Sequence, residues 1–462
     1  MTYDVVVIGS GPGGAVTARE CARRGLKVLV LEEGERVEPG AVQPYSVTQM
    51  QRMYRDNGLT VALGRPSIAY AEARCVGGGS EVNAGLYHRP DASVLAEWTE
   101  RFDIEALSPE DLDPWHEVVE KRLDVARGPR RLPAASEVLR RGAEQLGWAG
   151  LDVPRWTGTD ESGRPTMNTM QRTYLDDALN AGCEIRPQAR VRRLDISAGA
   201  VRGVECDSGE RVAADRIVVS AGTVQTPALL QRSGVAGRLG RGLSIHPTVK
   251  AVARFEEPVT DPDEVPTYQV KEFAPEVTLG GSASRQPLVA LALGETWSRD
   301  RALMTQPRRT AIYYASIRSS GTGIVRAVPG FDAPLVAYRL TRRDLDLLRS
   351  GLGRLLHLLL AAGAELVVPC YPGAPVVRGE ADVDAAVAGL GRDAPLMTVH
   401  LTGTVPMGER PGRSDVDSFG RVRDVGNLYV NDGSLLPSAP GVNPQGTIMA
   451  VAHRNVARML GT

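Results

Sequence analysis

The chain is short of the features that mark several large classes of protein. Its five cysteines, Cys21, Cys75, Cys183, Cys206 and Cys370, are scattered with no C-x-x-C pair. That spacing argues against a metal site, an iron–sulfur cluster and a disulfide framework, and the thiols read as reduced ones in a cytoplasmic protein. No apolar run reaches the roughly 18 residues that a membrane-crossing helix needs, and no leader of the secretory kind precedes the first strand. A soluble, cytoplasmic protein without a membrane span is expected. Charge of one sign is not in excess either: the formal net charge is −1, so neither nucleic acid nor anionic lipid is favoured electrostatically and a small-molecule partner is the default. Lysine is confined to Lys27, Lys121, Lys250 and Lys271 against abundant arginine, a bias from which no function is read. No tandem repeat or low-complexity tract is visible.

What is present begins at once. Residues 3–8 are a short β-branched apolar run of the kind buried in a parallel sheet, followed by Gly9, Gly11 and Gly14 at G-x-G-x-x-G spacing. An amphipathic helix follows, with Ala15, Ala18, Cys21 and Ala22 on one face and Arg19, Glu20, Arg23 and Arg24 on the other. Gly25 stops it before a second strand, residues 27–31, that ends at Glu32. In such a unit Gly9 permits the tight turn, Gly11 admits a pyrophosphate to the backbone, and Gly14 lets the helix pack on the sheet. The phosphates then meet the positive helix N-terminus, and Glu32 can accept both hydroxyls of an adenosine ribose. An acid rather than an arginine at position 32 argues against a 2′-phosphate; FAD and NAD both remain open from this stretch.

At 462 residues the chain suggests two domains, possible to interleave. Residues 34–66, with Pro39, Pro44 and Gly58, read as a surface excursion. The stretch 73–90 carries three consecutive glycines in CVGGGSEVN, a run that brings backbone amides against something flat or anionic. Residues 93–125 read as helical, with Ser108 as a cap before Pro109, and 127–166 loosen. A helix over 173–182 precedes strand-like runs at 184–195, 201–206 and 210–212, a small antiparallel sheet. Residues 216–220 return to a buried strand before a helix from about Gln225, and 240–247 read as an exit loop. Beyond Val249, strand-like runs such as 287–292 and 310–318 precede a long helix from Thr341 to Ala362, and 385–390 read as a short helix. A sheet backed by helices suits that order.

The tail holds TVHLTGTVPMG (398–408) and NLYVNDGSLLPSAPGVNPQGT (427–447). Together with VVVIGSGPGG, CVGGGSEVN and VSAGTVQTPALL, these motifs resemble the glucose–methanol–choline (GMC) oxidoreductases, and the tail is especially similar to that of cholesterol oxidases. The resemblance covers roughly half the chain, in the family's order. It implies an α/β architecture: a Rossmann-like FAD-binding domain (1–92, 166–248 and 385–462) interleaved with a substrate domain (249–384) built on a β-sheet backed by helices, with 93–165 as a helical connection. It implies FAD held at Gly9, Gly11, Gly14, Glu32, Gly78, Gly79, Ser80, Asn83, Val191, Asp432, Gly433, Asn443 and Pro444, with Asp432 and Gly433 at the ribityl chain. His400 matches the family's active-site histidine and Asn443 its partner.

The residues themselves agree with that assignment. A helix over 446–460 with Pro444 near its start would present amide donors to an anionic reduced flavin. An alcohol losing hydride to flavin N5 must also lose its hydroxyl proton; a histidine titrating near neutrality suits that task, and Asn443 can hold the same oxygen. His246 and His453 read as structural, and His88 and His116 have no supporting context. Where family members attach flavin covalently, a histidine precedes the loop asparagine; here Val82 precedes Asn83, so FAD is expected to be noncovalent. The leading expectation is oxidation of a small-molecule alcohol, whether sugar, aminosugar, sterol-like or secondary-metabolite, to a carbonyl, with O2 or another electron acceptor. A lyase that retains FAD, or a silent flavin-binding protein, are the competing readings, since fold alone does not set the reaction.

Overall fold

In the computed structural model, which describes residues 2–126, 131–159, 165–261 and 264–461, the opening unit forms as the glycine spacing requires. Strand Thr2–Ile8 lies between Val28–Leu31 and Arg211–Val219, parallel to both, and the helix Pro12–Ala22 crosses between. Glu184–Arg186 extends this sheet beyond Val28–Leu31, and Leu428–Val430 joins the far end of Arg211–Val219, again in parallel. Arg211–Val219 is one continuous strand where two pieces were expected. Burial alternates along its first half, which pairs with the antiparallel strand Ala200–Cys206, itself paired with Val191–Ser197, and becomes continuous in its second half, inside the parallel sheet. Both patterns occur on one strand because only the second half is covered on both faces.

A second, nine-stranded sheet is centred on Thr248–Arg254, which pairs with Thr310–Ile317; Val277–Gly281, Tyr268–Val270 and Gly150–Asp152 follow outward. On its other side come Leu396–Thr398, Ile68–Tyr70 and Thr60–Ala62. The expected segments are thus interleaved more finely than drawn: strands from within 1–92, 93–165 and 385–462 all pair in this sheet. The long helix Arg342–Ala361 backs it. Thr341 and Asp344 form a reciprocal cap at its start, and Gly363, at φ +87°, follows its end. Its buried Leu348, Leu352, Leu355, Leu356 and Leu359 share one core with Val277, Leu279, Tyr313 and Ala315 of the sheet.

Three local expectations are corrected. Residues 287–292 form the helix Gln286–Ala292, not a strand; a run that short has no period to separate the two, and Pro287 suits a first helical turn. Residues 241–245 are a strand rather than part of an exit loop, pairing with Thr322–Arg326 and Leu401–Thr402. The loosened stretch 127–166 holds a helix, Ala134–Leu146, closed by Gly147 at φ +68°; its residues 127–130 and 160–164 lie outside the described residues. Among the described residues no helix is long and apolar enough to cross a membrane.

Leu355 is fully buried in the shared core, so Leu355→Ala should lower stability by about 2–5 kcal/mol. Thr341→Ala, which removes only the cap, should cost about 1 kcal/mol; urea titration of both variants checks the order.

Candidate active site

A cavity of about 910 Å³ runs from the carboxyl ends of the parallel strands to one face of the second sheet. Its nucleotide end is built by close backbone approach. Gly9 sits at φ +97°, and a Cβ there would meet the Ser220 carbonyl oxygen at 2.3 Å; one on Gly14 would meet the Gly9 oxygen at 2.0 Å. Gly11 differs: it adopts φ −64°, and a Cβ would meet only the Gly78 Cα, at 3.9 Å. It faces open space at the helix N-terminus, whose N-cap makes no side-chain hydrogen bond. Glu32 lines the cavity, but its carboxylate already accepts from the Ser10 N–H and Oγ–H at 2.9 and 2.6 Å and from the Gly34 N–H at 2.8 Å. One acceptor position remains, on Oε1, where two were expected to be offered to a ribose. Burial pushes this carboxyl above its usual range. Val191 lines the same end.

Further along, Gly78, Gly79, Asn83, Asp432, Gly433, Asn443 and Pro444 all line the cavity. Ser80 does not. Its hydroxyl donates to the Gly77 carbonyl and accepts from the Met170 N–H at 3.0 Å, inside the protein, so it shapes the glycine loop instead of lining the cavity. Asp432 lines the cavity, yet its carboxylate is consumed by the Gly222 and Ser434 N–H groups and the Thr226 hydroxyl. Asn83 donates to Gln445 Oε1 at 2.7 Å, fastening the glycine loop to the start of the last helix, Gln445–Leu460.

At the other end His400 Nε2 lies 3.2 Å from the Asn443 amide, and His400 Nδ1 lies 2.9 Å from His246 Nδ1. His246, read as structural from the sequence, is therefore part of the site; nothing local in GRGLSIHP signals it. The Gly441 N–H donates to His246 Nε2 at 2.9 Å. In the neutral ring His246 must then carry its proton on Nδ1 and donate it to His400, which leaves the His400 proton on Nε2. The structure sets Asn443 Nδ2 against that Nε2, so with Nε2 protonated the amide must turn by half a rotation to present its oxygen as acceptor. Burial first, and the nearby Lys271 charge second, lower His400 to about 4, not near neutrality as expected. Burial likewise holds His246 well below its ordinary value and His88 at about 3.

Comparison with known proteins bears on this arrangement. Residues 50–248 and 327–452 match the two family models described as GMC oxidoreductase, and residues 7–55 match a NAD(P)-binding Rossmann-like domain. An uncharacterized GMC-type oxidoreductase of Sinorhizobium fredii is 38% identical over 98% of this chain and 93% of its own. The chain belongs to the GMC oxidoreductases. A long-chain-alcohol oxidase of Arabidopsis thaliana is 30% identical over 97% of this chain and 65% of its own. 6'''-Hydroxyparomomycin C oxidase of Streptomyces lividus is 28% identical over 98% and 90%. Pyridoxine 4-oxidase superposes over both full chains with a TM-score of 0.75 at 20% identity, which shows a shared fold.

This GMC oxidoreductase is a flavoprotein, and its residues fit FAD: Gly11 leaves a cradle that a side chain would fill, at a helix N-terminus suited to phosphate, and Gly78 packs its Cα against Gly11 where a Cβ would not fit. Gly11→Leu should give folded but colourless protein, because φ −64° tolerates any side chain while the cradle does not; retained stoichiometric FAD would overturn the placement. Gly14→Leu should instead fail to fold, since the clash is with backbone.

Low pH should destabilise the protein through its histidines. His88, His116, His400 and His453 are held at about 3, 4, 4 and 4 in the fold against roughly 6.5 when unfolded. The unfolded chain binds more protons between those values, so stability falls as pH drops from about 6.5 toward 4. Melting temperature across that range checks the sign.

Proposed function

We propose that this flavoprotein oxidises an alcohol to a carbonyl, with His400 and Asn443 as the groups that handle the hydroxyl. The observation that supports this reading most is the His400–Asn443 pair, backed by His246 and opening into the same cavity as the glycine cradle. FAD, when bound, supplies the acceptor for the hydride. The remaining demand falls on the chain's own residues: the substrate oxygen must be held and its proton taken.

His400 suits both parts of that demand. Neutral at physiological pH, it presents Nε2–H to an oxygen in the arrangement set by Gly441. Taking the hydroxyl proton at Nε2 requires its own proton on Nδ1, which sacrifices the Gly441–His246 bond at a cost of about 1–3 kcal/mol. The Asn443 amide can donate to or accept from the same oxygen without competing for its proton. Val82, beside Asn83, belongs to a small apolar cluster with Val37, Met53 and Cys75 and offers no nucleophile, which supports noncovalent FAD.

An anaerobic screen of alcohols that follows the flavin absorbance tests the reading, since neither a lyase nor a silent binder would bleach with substrate. His400→Ala should slow anaerobic flavin reduction by roughly 10²–10⁴-fold while FAD stays bound. Asn443→Ala should cost less, on the order of 1–3 kcal/mol in the barrier. Because His400 is held at about 4, the wild-type rate should stay level with pH down to about 5 and fall below it; the alanine variant should lose that fall. Acid precipitation should release all the flavin.

A further inference from the structure

The face of the second sheet that looks into the cavity is polar and carries two of the chain's four lysines. Register places Thr248, Ser316 and Thr278 side by side in one row, and Lys250, Tyr314, Gly280 and Gln269 in the next. Lys271 follows Gln269 on the same face, two residues on, and its ammonium reaches the Thr278 hydroxyl at 3.3 Å. Gly280 has a reason to lack a side chain: a Cβ there would meet the Tyr314 ring at 2.5 Å, so the ring lies across the sheet with its hydroxyl accepting from Gln269 Nε2 at 3.2 Å.

Neither lysine meets a carboxylate. Among the described residues none lies within 4 Å of the Lys250 or Lys271 ammonium, whereas the buried Arg19 and the half-buried Arg55, Arg122 and Arg318 are each paired with one. The acids that line the cavity are committed or distant: Glu33 and Glu72 bond Arg55, Glu32 and Asp432 each accept from three N–H and O–H donors, and Glu295 is exposed. Lys271 lines the same cavity as His246, His400 and Asn443, and its charge adds to burial in lowering His88, His246 and His400. A buried ammonium without a partner is costly, and a ligand that brings an anion removes that cost.

We propose that the substrate half of the cavity is an anion-binding chamber with Lys271 as its principal ligand and Lys250 as its second, and that the alcohol substrate carries a carboxylate or phosphate group. The inference rests on the alcohol-oxidation reading for the word substrate, but not for the chamber. A cationic alcohol would meet two like charges here, and a plain hydrocarbon alcohol would leave both ammoniums unpaired.

Titrating the FAD-loaded protein with benzoate, with inorganic phosphate and with neutral benzamide, and following the flavin absorbance bands, reads occupancy without turnover. One or both anions should bind at least 10-fold more tightly than benzamide; benzoate alone marks a carboxylate, phosphate alone a phosphate ester. Lys271→Met should weaken the anion roughly 10- to 100-fold, the loss expected of a charge-assisted bond. Lys271→Arg should retain binding within a few-fold, which guards against a folding defect in the methionine variant. Lys121→Met, at an exposed position, should change nothing. The proposal fails if benzamide binds as well as benzoate, if neither anion binds, or if Lys271→Met leaves both affinities intact. Absence of bleaching by every alcohol, with the anion response present, would remove the oxidation reading and leave the chamber standing.

Discussion

Everything in the site hangs on how closely the turn after the first strand approaches the ends of its neighbours. Beyond the contacts of Gly9 and Gly14, a Cβ on Gly13 would meet the Asn431 carbonyl oxygen at 1.9 Å, so the helix Pro12–Ala22 touches the end of Leu428–Val430 at a distance only glycine allows. Asn431 then passes that contact on. Its amide donates to Thr17 Oγ1 at 2.9 Å and to the Ala452 carbonyl at 3.3 Å, and accepts from Asn455 Nδ2 at 3.1 Å. The first and last helices are thereby fixed to one another, and the last helix carries Asn443 just before its start. The geometry at His400 is therefore set, through Asn431, by glycines in the first fifteen residues.

The same economy governs the protons. Two histidines, His246 and His400, line the cavity together with Lys271, and burial keeps both neutral. Neutral rings need partners for both nitrogens, and the Gly441 N–H, held at φ +77°, decides the direction of the chain through His246 to His400. A backbone donor cannot reverse its role, so it biases tautomers more firmly than any side chain would. His88 is the contrast: its Nε2 is buried without a partner, and it is held lower than His400, at about 3 against about 4.

Much of this was legible in the sequence because it is local. The opening strand, glycines and helix, the capped helix after Ser108, the helix after Thr341 and the helix after Pro444 are each written in adjacent residues, and all stand where periodicity and caps place them. His400 and Asn443 were found through motif resemblance, and they do meet. What was missed is nonlocal. His246 joins the site only because Arg241–Ile245 pairs with Leu401–Thr402, and no residue near it announces that pairing. Strands 60–62 and 68–70 lie in the second sheet for the same reason. Ser80 sits in a glycine loop where every backbone direction is open, so its inward turn is decided by Met170, ninety residues away.

The second sheet explains how one fold can keep its cofactor site and change its substrate. Along Thr248–Arg254, Thr310–Ile317 and Val277–Gly281 the side chains alternate between two environments. Val249, Ala251, Tyr313, Ala315, Val277 and Leu279 point back into the leucine-rich core under Arg342–Ala361. Thr248, Lys250, Tyr314, Ser316 and Thr278 point forward into the cavity. Core packing constrains the first set to volume and shape, whereas the second set is constrained only by what fills the cavity. The forward-facing residues can thus be exchanged without a packing penalty, while His400, Asn443 and the glycine cradle are held by other elements. Stability and chemistry depend on one set of contacts, and the choice of substrate on another.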